Sequence, residues 1–311
     1  MRVAVIDLGT NTFNLLIADI HASGFEIVHN SKEGVALGMG AINEQTIHPD
    51  AEERAFHAFE VFQKRIEENS VEFVYGFGTS AIRDAKNGND FVEHLIDRFS
   101  YPIEIIDGDR EAELIYKGVT WIHSIDKSSL IMDIGGGSTE FIRVDQTGSL
   151  EACSLNIGVS RAFQLFEFSD PLDEKDKKNL IDWFEKNSEE LNQFGKSSVL
   201  IGASGSFETF YEMVHNEEFP SKMDSIHLSK VELDEILDWT LNSTLEERES
   251  HPYIIPIRRK LAPIAAMKVK WILDKFSIEE VIICPFALKE GVLRELVEKF
   301  ISTGINPRER K

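Results

Sequence analysis

The sequence predicts an α/β protein made of two domains, and three observations support that class. Strand-like apolar runs alternate with amphipathic helical segments along the chain. A short unit recurs at an offset of 126 residues (133 minus 7), so that Asp7 aligns with Asp133. The length of 311 residues is comfortable for two domains.

Each copy of the repeated unit combines a strand, an acidic residue, a glycine turn and a second strand. In the first copy, V-A-V-I-D leads into the turn L-G-T-N-T and the strand F-N-L-L-I-A-D-I. In the second copy, S-L-I-M-D leads into I-G-G-G-S-T and E-F-I-R-V-D. A repeat at about one domain length indicates internal duplication. We therefore expect domains at 1–123 and 124–311, with the last helix able to pack back on the first domain.

The remaining elements follow the same alternation. Further strands are predicted at 71–77, 103–106, 199–202 and 281–284. Helices are predicted at 50–69, 90–99, 110–121, 159–167, 173–193, 206–215, 230–240, 257–276 and 286–301.

Composition narrows the class of partner. The net charge of −21 disfavours general binding to nucleic acid, which usually requires a basic surface. No apolar run is long enough to span a membrane, and no signal peptide is predicted. The two cysteines, Cys153 and Cys284, lie among apolar neighbours, which favours buried free thiols over a disulfide. Free thiols are typical of a reducing compartment, so we expect a cytoplasmic location.

The two glycine turns are candidate phosphate sites, because glycine lets several backbone N–H groups approach one anion. A plain hairpin turn is the alternative for either copy alone, but two matched copies, each preceded by Asp, favour phosphate binding. Neither turn fits a P-loop or a dinucleotide-binding fingerprint. The candidate phosphate-binding residues are Gly9, Thr10, Asn11, Thr12, Gly135, Gly136, Gly137, Ser138 and Thr139.

A third glycine turn, I-G-A-S-G-S, follows a strand at 199–202 and opens a helix. A helix N-terminus presents N–H groups that suit an anion, which makes Gly202, Ser204 and Gly205 candidates for phosphate binding. An ordinary joint between a strand and a helix is the alternative. Four arginines could hold further phosphates through bidentate contacts, although most charged side chains are solvated surface: Arg83, Arg161, Arg258 and Arg259.

Carboxylates flank these turns. Asp7, Asp133 and Glu140 are the oxygen ligands that Mg²⁺, or Mn²⁺ in its place, would use beside phosphate, while Glu140 could also be only the exposed start of a strand. Glu111 lies in an acidic strand-to-helix turn, where acids are favoured by the helix dipole alone. The density of acids around Glu111 nevertheless suggests a carboxylate that activates water.

Several collinear stretches together resemble one known family. They are V-I-D-L-G-T-N-T-F-N-L-L (5–16), G-T-S-A-I-R-D-A (78–85), P-I-E-I-I-D-G-D-R-E-A-E-L-I-Y-K-G-V (102–119), I-M-D-I-G-G-G-S-T-E-F (131–141), I-G-A-S-G-S (201–206) and A-L-K-E-G-V-L (287–293). The sequence resembles the exopolyphosphatase and guanosine pentaphosphate phosphohydrolase family, which belongs to the actin, sugar-kinase and heat-shock ATPase superfamily.

The resemblance implies two ribonuclease-H-like (actin-like ATPase) domains with an interdomain cleft. It also implies that Glu111 is the general base, that both glycine turns bind phosphate, that Asp133 and Glu140 lie on the metal side, and that Arg83 contacts phosphate. The chain departs from the family at Pro263, which is followed by I-A-A where relatives often have a glycine, and at Arg110, where some relatives have an acid. It also looks like the short form that lacks a C-terminal helical domain.

The favoured hypothesis is a Mg²⁺-dependent phosphohydrolase acting on inorganic polyphosphate, guanosine pentaphosphate or both. The alternatives are a non-catalytic sensor that binds polyphosphate or alarmone, and an ATPase or sugar-kinase-like enzyme. Substrate preference, polymer length and oligomeric state, including a homodimer, are left open by the sequence.

Overall fold

Two β-sheets organise the chain, and each is built on one copy of the repeated unit. The computed structural model describes residues 1–220 and 224–303. Residues 304–311, the end of the predicted second domain, lie outside the described residues. Among the described helices, none combines the length and the apolar character that a membrane crossing requires.

The strands and helices alternate as the sequence predicts. The strands are β1 (Arg2–Leu8), β2 (Thr12–His21), β3 (Gly24–Gly34), β4 (Phe73–Gly78), β5 (Ile103–Ile105), β6 (Ser129–Ile134), β7 (Thr139–Val144), β8 (Leu150–Leu155), β9 (Val199–Ala203), β10 (Ile226–Leu228) and β11 (Glu280–Cys284). The helices are α1 (Pro49–Glu68), α2 (Ser80–Arg83), α3 (Gly88–Phe99), α4 (Gly108–Ile122), α5 (Val159–Leu165), α6 (Glu174–Lys186), α7 (Gly205–His215), α8 (Lys230–Asn242), α9 (Leu245–Ser250), α10 (Ala262–Lys275) and α11 (Leu288–Thr303).

The two sheets share the arrangement of five strands, and the second carries a sixth strand, β10, antiparallel to β11. The first has the order β3-β2-β1-β4-β5, and the second has the order β10-β11-β9-β6-β7-β8. In each, an antiparallel meander is followed by a parallel pairing of its first strand, β1 with β4 and β6 with β9. The mixed α/β class with two sheets is therefore confirmed.

The chain divides into two compact units. The first contains Met1–Trp121 together with α11, and the second contains Ile122–Ala287. The first division falls two residues before the predicted boundary at residue 123. The helix α11 packs across β1, β2 and β3 of the first unit.

Each unit has its own apolar core. In the first, alternate residues of β1 and β2 pack on α1 and α3, with Phe13 edge-on to Phe59 at 6.0 Å between ring centroids. In the second, α10 packs on α5, α6 and α8, and Phe184 of α6 stacks near Trp271 of α10 at 5.3 Å. These cores place the two glycine turns at the ends of buried strands.

Two predicted helices are shorter than expected. The segment 173–193 ends its α-helix at Lys186 and resumes as a 3-10 turn at Glu189–Gln193, because Ser188 between them has a non-helical backbone. The segment 257–276 begins as a 3-10 turn at Pro256–Arg258, and α10 starts only at Ala262. Proline at residue 263 fits the first turn of a helix but not its interior. The strand β10 and the helix α9 were not predicted.

An ion network fastens α4 to α11 within the first unit. Gly291 of α11 allows the two helices to approach closely, because a Cβ atom at this position would lie 1.9 Å from the carbonyl oxygen of Leu114 on α4. Glu295 accepts hydrogen bonds from Arg110 at 2.5 Å and from Lys117 at 2.6 Å. Burial alone would raise the pKa of Glu295, but these two cations outweigh it and lower the pKa to about 2.

This network predicts an acid-dependent loss of stability. Because the folded pKa of Glu295 lies below the ordinary value, its contribution is present above about pH 4.5 and is lost as the pH falls toward 2. We expect Glu295→Gln to lower the free energy of unfolding at pH 7 by roughly 2 kcal/mol, and by less than half of that at pH 3. Urea unfolding at both pH values measures this. Glu298→Gln, on the exposed side of α11, serves as the control, and an equal deficit at both pH values would contradict the assignment.

Candidate functional site

The first glycine turn, residues 9–11, joins β1 to β2 in a conformation that requires glycine. The N–H of Gly9 donates to the carbonyl of Thr12 at 3.1 Å. A Cβ atom on Gly9 would lie 2.8 Å from that same carbonyl oxygen. A larger residue at this position would therefore push the turn open.

The carbonyl groups of this turn are held by the segment 35–38. The carbonyl of Thr10 accepts from the N–H of Gly38 at 3.2 Å, and that of Asn11 accepts from two N–H groups of residues 35–36 at 2.9 and 2.8 Å. In a trans peptide the C=O and N–H bonds point in opposite directions. The N–H groups of Asn11 and Thr12 consequently point away from the segment 35–38, as a pair of adjacent donors.

The second glycine turn, residues 135–138, repeats this construction. Its first glycine is again required, since a Cβ on Gly135 would lie 2.9 Å from the carbonyl oxygen of Ser138. The carbonyls of residues 135–137 accept from the backbone N–H groups of Val159 at 3.1 Å, Ser160 at 2.9 Å and Gly158 at 3.1 Å, respectively. By the same geometry, the N–H groups of residues 136–138 form a row of three donors on the opposite side.

The sequence did not predict that residues 35–38 and 158–161 would hold the two turns, although it marked Arg161 as a candidate phosphate contact. Their signal is the close backbone approach: a Cβ on Gly158 would lie 2.2 Å from the carbonyl oxygen of Gly136. Arg161 reinforces the second segment, because its Nε donates to the carbonyl of Gly137 at 2.9 Å. The structure thus places Arg161 against the turn backbone.

The acidic side chains of the second unit lie in a row across the sheet. Asp133 pairs with Glu140 on β7, and Glu140 pairs with Ser154 on β8, so the three side chains share one face. Glu140 is only 2% exposed, and its Oε1 accepts from the hydroxyls of Ser138 at 2.6 Å and Ser154 at 2.7 Å. The start of β7 is therefore a buried carboxylate site.

The third glycine turn lies beside this row. Ser204, which precedes α7, adopts φ 68° and donates its hydroxyl to Asp133 Oδ1 at 2.5 Å. A Cβ on Gly205 would lie 2.0 Å from the guanidinium of Arg258, which also donates to Thr209 at 2.7 Å. The turn therefore places Ser204 next to Asp133 and Arg258 next to the start of α7.

Two candidate residues near the third turn, Gly202 and Arg259, have local structural contacts. A Cβ on Gly202 would collide with the ring of Phe207 at 2.2 Å, which explains the glycine by packing. Arg259 donates to the carbonyl of Ile254 at 3.2 Å and so holds its own loop.

In the first unit, Glu111 is 7% exposed in the first turn of α4. Its Oε2 accepts from Arg83 Nη1 at 2.8 Å, and the same nitrogen donates to the carbonyl of Ile106 at 3.0 Å. The sequence predicted Glu111 as a base and Arg83 as a phosphate contact, but it did not predict that the two would pair. The charge-assisted hydrogen bond fixes the orientation of the carboxylate.

The row of the first unit equivalent to the acidic row has one carboxylate rather than two. Asp7 pairs with Asn14, and Asn14 pairs with Lys32 on β3. The amide of Asn14 donates to Asp7 at 3.0 Å. Burial raises the pKa of Asp7, while the charge of Lys289 and the Asn14 hydrogen bond oppose this effect. Asp7 is thus the one carboxylate of this row in the first unit.

The donor set of the second unit fits a Mg²⁺ ion. Among residues 1–220 and 224–303, no group of three or more His, Cys, Asp or Glu side chains could hold a metal by itself. Mg²⁺ commonly uses one or two carboxylates and takes its other oxygens from water and substrate phosphates. The neighbouring carboxylates of Asp133 and Glu140 match that requirement.

The shared sheet topology and the two donor turns define an α/β protein with two actin-like domains. The Ppx/GppA phosphatase family model matches residues 16–300. The chain therefore belongs to the Ppx/GppA phosphatase family.

Known relatives agree with this placement. A bifunctional 3-dehydroquinate synthase/phosphatase of Fusobacterium nucleatum is 31% identical over 95% of this chain, which spans about half (46%) of that longer protein. A putative exopolyphosphatase of Haemophilus influenzae is 28% identical over 96% of this chain and 92% of its own length. The crystal structure of an exopolyphosphatase from Cytophaga hutchinsonii superposes with a TM-score of 0.91 at 32% identity, covering 96% of this chain and 98% of that one.

Gly158→Ala should displace the second turn, since the added methyl would overlap the carbonyl of Gly136. We expect binding of inorganic tripolyphosphate, measured by titration calorimetry with Mg²⁺, to weaken by up to about 100-fold, because small misplacements of donors are costly. Gly148→Ala is the matched control: its φ of 80° makes alanine strained, but nothing lies near the added methyl. Equal binding by the two variants would contradict the role of residues 158–161.

Proposed function

We propose that this protein is a magnesium-dependent phosphohydrolase that releases the terminal phosphate of inorganic polyphosphate, guanosine pentaphosphate or both. One observation carries the proposal: in two turns of the same construction the carbonyl groups are held by a partner segment, so that the N–H groups of residues 11–12 and 136–138 point to the opposite side. Donors of this kind suit a substrate with many phosphate oxygens. The relatives described as exopolyphosphatases support the same class of substrate.

The first unit supplies the group that activates water. Glu111 is buried, and Arg83 holds its carboxylate in one orientation. A base that takes a proton from water must be fixed within hydrogen-bonding reach of it. Pairing with Arg83 provides this fixed orientation, so that Arg83 acts on the reaction through Glu111.

The turns supply charge stabilisation without side-chain chemistry. Phosphoryl transfer depends mainly on positioning and on neutralising the charge of the equatorial oxygens. Backbone N–H groups that are fixed before the substrate binds need no reorganisation during the reaction. The hydrogen bonds from residues 35–38 and 158–161 provide that rigidity.

Asp133 and Glu140 are the residues that would hold Mg²⁺ in the second unit. When bound, the ion would neutralise phosphate charge and polarise a phosphoryl oxygen. The hydroxyls of Ser138, Ser154 and Ser204 orient the two carboxylates. Removing these hydroxyl groups would misplace the carboxylates of Asp133 and Glu140, although both carboxylates would keep their negative charge.

Glu111→Gln tests the water-activating role. We expect phosphate release from polyphosphate to fall by about 100- to 10,000-fold, the range that a general base contributes, with tripolyphosphate binding largely retained. Glu113→Gln, two residues along the same helix, is the control, because its carboxylate pairs with Arg110 and Lys117 instead. Full turnover in Glu111→Gln would exclude the assignment.

A phosphate-release panel tests the proposed function itself. We expect release from polyphosphates of several lengths or from guanosine pentaphosphate, dependence on added Mg²⁺ and loss with a chelator. Release from ATP alone would indicate an ATPase or kinase-like enzyme. Tight binding with no release from any substrate would indicate a sensor, and either result would overturn the proposal.

A further inference from the structure

A lysine lies fully buried beneath the second glycine turn. Lys268 of α10 has no exposed surface, and its Nζ donates to Thr139 Oγ1 at 2.7 Å and to the carbonyl of Ile157. The ring of Phe184 lies 5.5 Å from the ammonium group. Both hydrogen-bonded partners are themselves fully buried. The contacts therefore belong to the interior of the second unit.

The two hydrogen-bond partners of Lys268 lie next to the second glycine turn and next to the segment 158–161 that holds it. Thr139 follows the turn directly as the first residue of β7, and Ile157 precedes the segment 158–161 that holds the turn carbonyls. Thr139 and Glu140 point to opposite faces of the sheet, because side chains alternate along a strand. Lys268 consequently acts on the turn from the core side, with Glu140 on the other.

The duplicated position in the first unit has no such group. Thr139 aligns with Phe13 at the same offset of 126 residues (139 minus 13), and Phe13 packs on Phe59 in an apolar core. An aromatic core is the less costly solution, because a buried ammonium loses its hydration. Burial accordingly lowers the pKa of Lys268 to about 7, with the charge of Glu140 opposing part of the shift. A lysine kept at such a position needs a benefit other than stability.

We propose that Lys268 is a positioning residue of the phosphate site, which ties the second glycine turn to its supporting segment from the core side. This inference rests on the proposed function for its ligand. The claim that Lys268 holds the turn in place does not depend on catalysis, and it can be tested by hydrogen exchange without measuring phosphate release. The ligand class is an inorganic polyphosphate, whose negative charge would favour the ammonium form of the lysine.

Lys268→Met separates the proposed role from a merely structural one. Methionine removes the cost of burying the ammonium group, but it leaves the buried carbonyl of Ile157 and the hydroxyl of Thr139 without their donor, so the two effects on stability oppose each other. We expect the variant to fold with a melting temperature close to that of the wild type and to show faster hydrogen exchange in peptides covering residues 133–141. Binding of tripolyphosphate with Mg²⁺ should weaken by about 10- to 100-fold, as is typical for residues that orient a site through their neighbours.

The matched control is Lys270→Met. Lys270 lies two residues along the same helix, where its ammonium pairs with Asp238 at 2.6 Å on the exposed side. We expect this variant to bind tripolyphosphate and exchange hydrogen as the wild type does. Thr139→Val is the second test variant, since it keeps the lysine but removes its link to β7, and we expect a smaller loss of binding in the same direction.

The outcomes are distinguishable. Wild-type binding and unchanged exchange in Lys268→Met would overturn the inference, and so would a lower melting temperature with unchanged affinity of the folded fraction. If Lys268→Met does not fold, wild-type binding and exchange in Thr139→Val would overturn it. If the wild type binds no tripolyphosphate, the proposed function fails, and the exchange of residues 133–141 alone decides the role of Lys268.

Discussion

Each candidate phosphate site depends on one set of interactions, the hydrogen bonds that occupy the carbonyl groups of its glycine turn. A carbonyl that is held on one side obliges the N–H of the same peptide to point to the other side. Residues 35–38 hold the first turn, and residues 158–161 hold the second. Without these bonds, glycine-rich chain would sample many conformations and lose most of its value as a fixed donor. The glycines permit the conformation, and the partner segments select it.

The two units reuse one backbone and differ in their side chains. The first has Asp7 beside Asn14 and Lys32, whereas the equivalent row of the second has Asp133 beside Glu140 and Ser154. Below the turns, an aromatic core in the first unit corresponds to the buried Lys268 in the second. The two units therefore share the backbone arrangement of the turns and differ in the charged side chains beside them. The second unit carries two neighbouring carboxylates, Asp133 and Glu140, and the first carries the buried carboxylate of Glu111 paired with Arg83.

The sequence predicted the parts of this site that are local. A strand followed by Asp and glycine is visible in eight residues, and its repetition at one domain length indicates duplication without any structure. The α/β class followed from the alternation of elements, and most element positions agree with it. These features depend on local propensity and on short-range turn geometry, which a single sequence records directly.

The parts that the sequence did not predict depend on contacts between distant residues. Gly158 appears as an ordinary glycine until its approach to Gly136 is known, and Lys268 appears as one of several helical lysines. The end of α6 at Lys186 depends on the backbone of Ser188, which no periodicity marks. The pairing of Arg83 with Glu111 brings together residues 28 apart in the chain, on two different helices.

The acidic charge of the chain explains why backbone donors suit this site. With a net charge of −21, the long-range field repels a polyanion, so that affinity must come from groups in direct contact with it. Backbone N–H groups provide fixed partial positive charge at any net charge, and they cannot be neutralised by a change of pH. Lys268, behind the second turn, has no exposed surface and is shielded from solvent. Under the proposed function, the N–H groups of the two turns would attract phosphate where the net charge of the chain repels it.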